Sequence, residues 1–439
     1  MEPHPIRLVV ADDLERSRLT VFFRLLLAIP HLVWLVLWGI AVVLLALVGW
    51  VVTLVAGRLP QSLHDFFSAY LRYGTHVYAF VLLAANPFPG FTGTPGTYPI
   101  DLEIDVPAEQ ARWKTAFRIV LALPALLVTS ALLSGSSGGG GGGGAGWEGE
   151  EQAYYWSASA GVAITIAVLA WFASLARARM PHGFRDALAY CLRYGAQTYG
   201  YLLFLTDRYP NADPLEPVPA PAPPRPVAVR SEEDDLSRLR LTVFFRLLLA
   251  IPHFVWLVLW GIAVLFALVA AWLAALVSGR VPDGLHRFLA AYLRYGVHVL
   301  AFVGLVSNPF PGFVGKEGTY PVDLRVDPPE PQSRWTVLFR LPLAVPALMV
   351  DSALTGALTV AAILGWFASL LTGRMPRGLR GLGAWAVGYY GQTYGYLFLL
   401  TGRYPYSGPP GLDAPAPVEI EAEPGPAWPE PPPPPLPSS

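Results

Sequence analysis

The sequence predicts an α-helical polytopic membrane protein of four pseudo-repeats. Each repeat reads as a strand, an interfacial helix and two spans, giving about eight transmembrane helices with a small extramembrane β-sheet. Two observations carry this. Apolar residues make up 54% of the 439 and charged residues 14%, against roughly 45–50% and 25% in soluble domains. The text also repeats: LTVFFRLLLAIPH (19–31) returns at 241–253, AYLRYG (69–74) at 291–296 and NPFPGF (86–91) at 308–313, an offset of 222. A fixed-period repeat is read before anything else, because it sets the fold.

Within each half the plan occurs twice. A strand-like run opens each unit: PIRLVV (5–10), YPIDLEIDV (98–106), PVAV (226–229) and YPVDLRV (320–326). In 98–106 the apolar Ile100, Leu102, Ile104 and Val106 alternate with Asp101, Glu103 and Asp105, the period of a half-buried strand. Four such runs predict one sheet on one side of the membrane, so each unit crosses an even number of times. Next comes a basic lead-in ending at Arg24, Arg118, Arg246 or Arg340, with a proline six residues on. A long apolar run then ends at Arg58, Arg179, Arg280 or Arg374.

Arg24 and Arg58 are 34 positions apart, about 51 Å of helix, whereas a hydrocarbon core is about 30 Å thick. One straight span does not fit, so a short interfacial helix through the proline is predicted, followed by a span. Copy two carries a Gly-rich insert at 134–160, with Gly138–Gly144 and the acids Glu148, Glu150 and Glu151. Irregular polar chain is excluded from lipid, so the insertion point must reach water or protein. The second helix of each unit is amphipathic: Leu63, Phe66, Phe67, Tyr70 and Leu71 form a stripe opposite His64, Asp65, Ser68 and Arg72.

These readings divide the chain into a first tandem half at 1–209 (units 5–91 and 98–209), a Pro-rich linker at 210–226, a second half at 227–405 (units 227–313 and 320–405) and a Pro-rich tail at 406–439 expected to be disordered. The first apolar stretch, Val21–Ala56, exceeds a signal-peptide core and is expected to remain as an anchor. Thirty Lys and Arg against 31 Asp and Glu leave no basic field for nucleic acid. The single Cys191 excludes an internal disulfide and a Cys-based zinc site.

The text YPVDL, SRW, FRL, LAIPH, GRMP, QTYGY and RYP, in that order, resembles a family of bacterial membrane proteins catalogued as domain of unknown function 4389. The resemblance runs through nearly all of 1–405 in tandem copies. It implies an integral membrane protein and supplies no catalytic residues.

Three groups of polar residues stand out. His76, Gln197, His298 and Gln392 share one position of the Tyr-rich helix, with Arg72, Arg193 and Arg294 one turn away and Gly388 in the fourth copy. They are candidates to line a polar cavity; the alternative is interhelical hydrogen bonding. Arg24, Arg118, Arg246 and Arg340 are candidates for lipid-headgroup or anion contact, the alternative being snorkelling. Asp351 is an acid within an apolar run and a functional candidate by default, or the N-cap of the following span. His31 and His253 have no second ligand at helical spacing, so no metal is assigned. No catalytic motif is present, and no cofactor is implied.

Two functions fit these features: transport or handling of a lipid or small solute within the bundle, or a non-enzymatic scaffold that recruits a protein partner through its sheet or Pro-rich tail. The lipid bilayer is the common partner. Arg16, Arg18 and Arg24 ahead of the first span place the sheet and termini in the cytoplasm of a plasma-membrane protein by the positive-inside rule.

Overall fold

A computed structural model describes residues 4–134, 160–214, 225–231 and 235–409. The Gly-rich insert between its first and last residue, the centre of the linker and the tail from 410 lie outside the described residues. The first half runs β1 (Ile6–Val10), α1 (Arg18–Ala56), α2 (Gln61–Val81), β2 (Ile100–Ile104), α3 (Arg112–Ala116), α4 (Arg118–Leu133), α5 (Val162–Arg177) and α6 (His182–Leu202). The second runs β3 (Val227–Ser231), α7 (Arg240–Phe244), α8 (Arg246–Ser278), α9 (Asp283–Val303), β4 (Val322–Val326), α10 (Arg334–Leu338), α11 (Arg340–Thr372) and α12 (Arg377–Leu397).

Copies one, three and four are each a long first helix folded back on a 21-residue second helix, and in copy two the 16-residue α4 and α5 precede the 21-residue α6. The reversal is written in the sequence. In copies one, three and four the first helix ends at a glycine in the left-handed region, Gly57, Gly279 or Gly373 (φ 73–76°). That conformation closes the last turn without a Cβ penalty. A proline then precedes the second helix: Pro60, Pro181, Pro282 and Pro376. Aromatic contacts run along the hairpin, with Trp38 against Phe66, Tyr70 and Tyr73, and Trp260 repeats them.

The expected single sheet is corrected to two antiparallel ribbons, β1 with β2 and β3 with β4. Each ribbon lies on the second helices of its own half, β2 against α2 and β1 against α6. That seating keeps the two ribbons apart. Close approach depends on glycine: a Cβ at Gly200 would lie 2.1 Å from Ile6 Cδ1, and one at Gly395 would lie 2.8 Å from Val227 Cγ1. The run PVAV contributes Val227–Val229 to β3.

The expected division of the long run into an interfacial helix and a span is also corrected. Helices α1, α8 and α11 continue unbroken through Pro30, Pro252 and Pro346 and past Gly39, Gly261 and Gly356. A proline removes one intrahelical bond, but in an apolar setting the other backbone groups find no partner outside the helix. These three helices are long and apolar enough to cross a membrane, and α4 and α5 are shorter apolar helices. The second helices are not in that class, because Arg72, His76 and their equivalents interrupt the apolar text.

The halves meet through copies two and four. Helix α11 packs on α4 and α5, and Tyr190 of α6 meets Trp385 of α12 edge to face at 5.0 Å.

Candidate functional site: the polar row beneath the ribbons

The shared row position holds the ribbons and their equivalents onto the second helices. His76 Nε2 lies 2.8 Å from Asp101 Oδ1 at the start of β2, and His298 Nε2 lies 2.8 Å from Asp323 Oδ1 in β4. The rings stack on Tyr98 and Tyr320. Each carboxylate also accepts backbone N–H groups, Asp101 from Gly96 and Leu102 and Asp323 from Gly318 and Leu324. Burial pushes the Asp101 carboxyl up, but the hydrogen bonds from His76, Gly96 and Leu102 outweigh it and hold it below the ordinary carboxylate value. Asp323 is held down by the same kinds of bond.

In copies two and four the glutamines bind backbone instead. Gln197 Nε2 donates to Ile6 O at 3.1 Å, and its Oε1 accepts from Asn211 N–H at 2.9 Å. Gln392 Oε1 accepts from Tyr406 N–H at 2.9 Å. His76, Gln197 and His298 are buried. Gln392 is half-buried beside a cavity of about 10 Å³, the size of one water, shared with Arg225, Thr401 and Arg403.

The row arginines join the same task. Arg72 Nε donates to Leu102 O at 3.1 Å and Arg294 Nε to Leu324 O at 2.8 Å. Arg193 donates to Asp213 O at 2.6 Å. At Gly388 an added Cβ would meet nothing within 4 Å. The row is thus four anchoring points, each engaged with the strand or extended segment above it.

The four lead-in arginines lie under the ends of the second helices. Arg24 donates to Phe80 O at 2.7 Å and Ala85 O at 3.0 Å. Arg246 binds Phe302 O and Ser307 O in the same way, and Arg118 binds Tyr201 O and Thr206 O. Arg340 donates to Thr401 O and to Gln332. The need for such a cap is visible in the backbone. Leu83, Phe204, Leu305 and Leu399 follow the second helices at φ 60–64°, where a side chain is uncommon and helix carbonyls lack intrahelical donors. All four guanidinium groups are buried.

Asp351 lies well inside the continuous α11, which overturns the N-cap alternative. It is buried, and its Oδ1 accepts no hydrogen bond among the described residues. Its copy-two counterpart Thr129 donates to Thr198 Oγ1 at 2.9 Å. His31 and His253 hydrogen-bond the Tyr73 and Tyr295 hydroxyls and stack on Phe91 and Phe313.

Sequence reasoning missed Asp101, Asp323, Gln110 and Gln332 as anchors. Gln110 bridges Arg118 and Phe204 O, and Gln332 bridges Arg340 and Leu399 O. A signal existed. The Asp of YPIDL and YPVDL comes after the copies whose row residue is His, and no such text comes after the copies with Gln.

A family model described as Domain of unknown function (DUF4389) matches residues 18–92, 152–212, 240–314 and 334–407. No curated protein and no solved structure matches the chain.

Proposed function

The chain belongs to the DUF4389 family, in four tandem copies, and from that premise we propose that it is a non-enzymatic membrane scaffold. Its apolar helices sit in the cell membrane, and the two ribbons form the face offered to a protein partner. One observation carries this reading: the polar side chains that a transport path would draw on are bound to the chain's own strands and extended segments. A buried polar network that is satisfied internally fixes one geometry, which suits a platform. The Arg16 and Arg18 cluster at the start of α1 supports a cytoplasmic position for the ribbons.

Handling of a lipid is the second reading. It is favoured by an open apolar groove of about 370 Å³ between Trp256, Trp260 and Phe313, a shape suited to an acyl segment.

Thiol accessibility tests the choice. In a Cys191→Ala background, His76→Cys and Gln197→Cys should resist an impermeant maleimide in membranes and react after denaturation. Rapid labelling of both in the folded protein, slowed by an added lipid or solute, would reverse the choice in favour of transport.

A further inference from the structure

We propose that the long apolar helices do not cross the bilayer but lie along it, embedded in a single leaflet, with acyl chains as their partner. The inference takes the membrane seat from the scaffold reading and nothing else.

Gly57, at the end of α1, accepts a hydrogen bond from Gln110 N–H at 2.8 Å, and Gln110 is six residues beyond Ile104 of β2. The start of α1 is tied by the chain itself: Arg18, its first residue, is eight residues beyond Val10 of β1. Six extended residues reach about 21 Å at most and eight about 28 Å. Both ends of a helix about 58 Å long are therefore leashed to one ribbon about 17 Å long. The leashes suffice only if the ribbon sits beside the middle of the helix and roughly parallel to it.

The ties recur in every copy. Ala178 O accepts from Arg16 N–H, Gly279 O from Gln332 N–H, and Gly373 O from Arg238 N–H.

A helix that crossed the membrane would carry its ribbon to the hydrocarbon midplane. The ribbon cannot be there. Its outward side chains include Arg7, ion-paired with Glu103 at 3.2 Å and Asp105 at 2.8 Å, and all three keep substantial exposure. Arg230 and Arg325 are exposed on the other ribbon. Among the described residues the strands are paired on one edge only, and open strand edges and exposed charges do not occur in lipid. The ribbon lies in water, and so both helix ends lie at the interface.

The exposed surface of the helices fits this placement. Val36, Ile40, Val43, Leu47 and Val51 of α1 are all exposed. A helix 10–12 Å across fits within one leaflet, roughly half of a 30 Å core. Copy two adds an independent point. The text between α4 and α5, with Glu148, Glu150 and Glu151, interrupts the long run at its middle. That point would be the bilayer centre in a spanning helix and is near water in one lying flat.

Two measurements on the full chain test it. In the Cys191→Ala background, Asp13→Cys and Gln61→Cys flank the two ends of α1. An impermeant maleimide should label both in the same preparation, either right-side-out or inverted vesicles. Labelling of one in each preparation overturns the proposal and leaves the scaffold reading, which the accessibility of His76→Cys and Gln197→Cys decides, untouched. Single spin labels at Val36→Cys, Ile40→Cys, Val43→Cys, Leu47→Cys and Val51→Cys should report one shallow depth from oxygen and nickel accessibility. A depth profile that sweeps through the bilayer centre between Val36 and Val51, about 22 Å of helix, overturns it independently.

Discussion

His76 and Gln197 occupy one position of one repeated unit, yet the imidazole meets a carboxylate and the amide meets backbone. The chemistry of each side chain matches the segment packed above it. An ordered carboxylate stands over the histidine, while the glutamine, with a donor and an acceptor, bridges two backbone groups. The Asp101 bond has a pH signature. A carboxyl held below its ordinary value stabilises the fold above the unfolded-chain value of about 3.9, and that stability is lost as pH falls through the folded value. Hydrogen-exchange protection of Ile100–Ile104 should therefore be flat from neutral pH to about pH 5 and fall below about pH 4. Asp101→Asn should weaken protection at neutral pH and remove that acid step. An unchanged acid step in the variant would assign it to another group.

The loop between α2 and β2 shows how an element can be fixed by a single residue. Gly93 (φ 60°) and Gly315 (φ 55°) press against the second helices so closely that a Cβ would stand 2.2 Å from Ala69 O and 2.1 Å from Ala291 O. Both the left-handed conformation and the contact forbid a side chain, so Gly93→Ala should cost about 1–3 kcal/mol. Gly90→Ala, where a Cβ meets nothing within 4 Å, should be near neutral. Thermal unfolding in detergent compares the two; equal midpoints would show that the loop yields. At this scale the sequence is an uneven guide. The alternation Ile100, Leu102, Ile104 predicts β2, and the repeated Gly-Arg-x-Pro text predicts the helical reversal. The pairing of β1 with β2 is hidden, because about ninety residues separate partners and no local pattern distinguishes two ribbons from one sheet. The row itself is legible as four equivalent polar positions. Its partners are not, since contacts such as Gln197 with Ile6 join residues 191 apart.

At the scale of the whole molecule, the two halves are joined by more than the linker. Tyr190 meets Trp385 edge to face, and Tyr406 donates to Asp186 across the same boundary. A protease site placed within 215–224 should therefore leave the halves co-eluting after cleavage in detergent. Tyr190→Ala with Trp385→Ala should then let them separate, because each truncation of a buried aromatic costs about 3–5 kcal/mol. Separation of the cleaved wild-type chain would show that the linker alone holds them. The ribbon topology also has a consequence for synthesis. Strand β1 is complete at Val10, but its partner ends at Ile104, 94 residues later. At about 5–20 residues per second, an open strand edge waits roughly 5–20 s at the ribosome before it is closed. A single copy never closes it. The unit that can be inherited, duplicated or excised without leaving a strand unpaired is therefore a pair of copies, and the 222-residue spacing of the text is the length of such a pair.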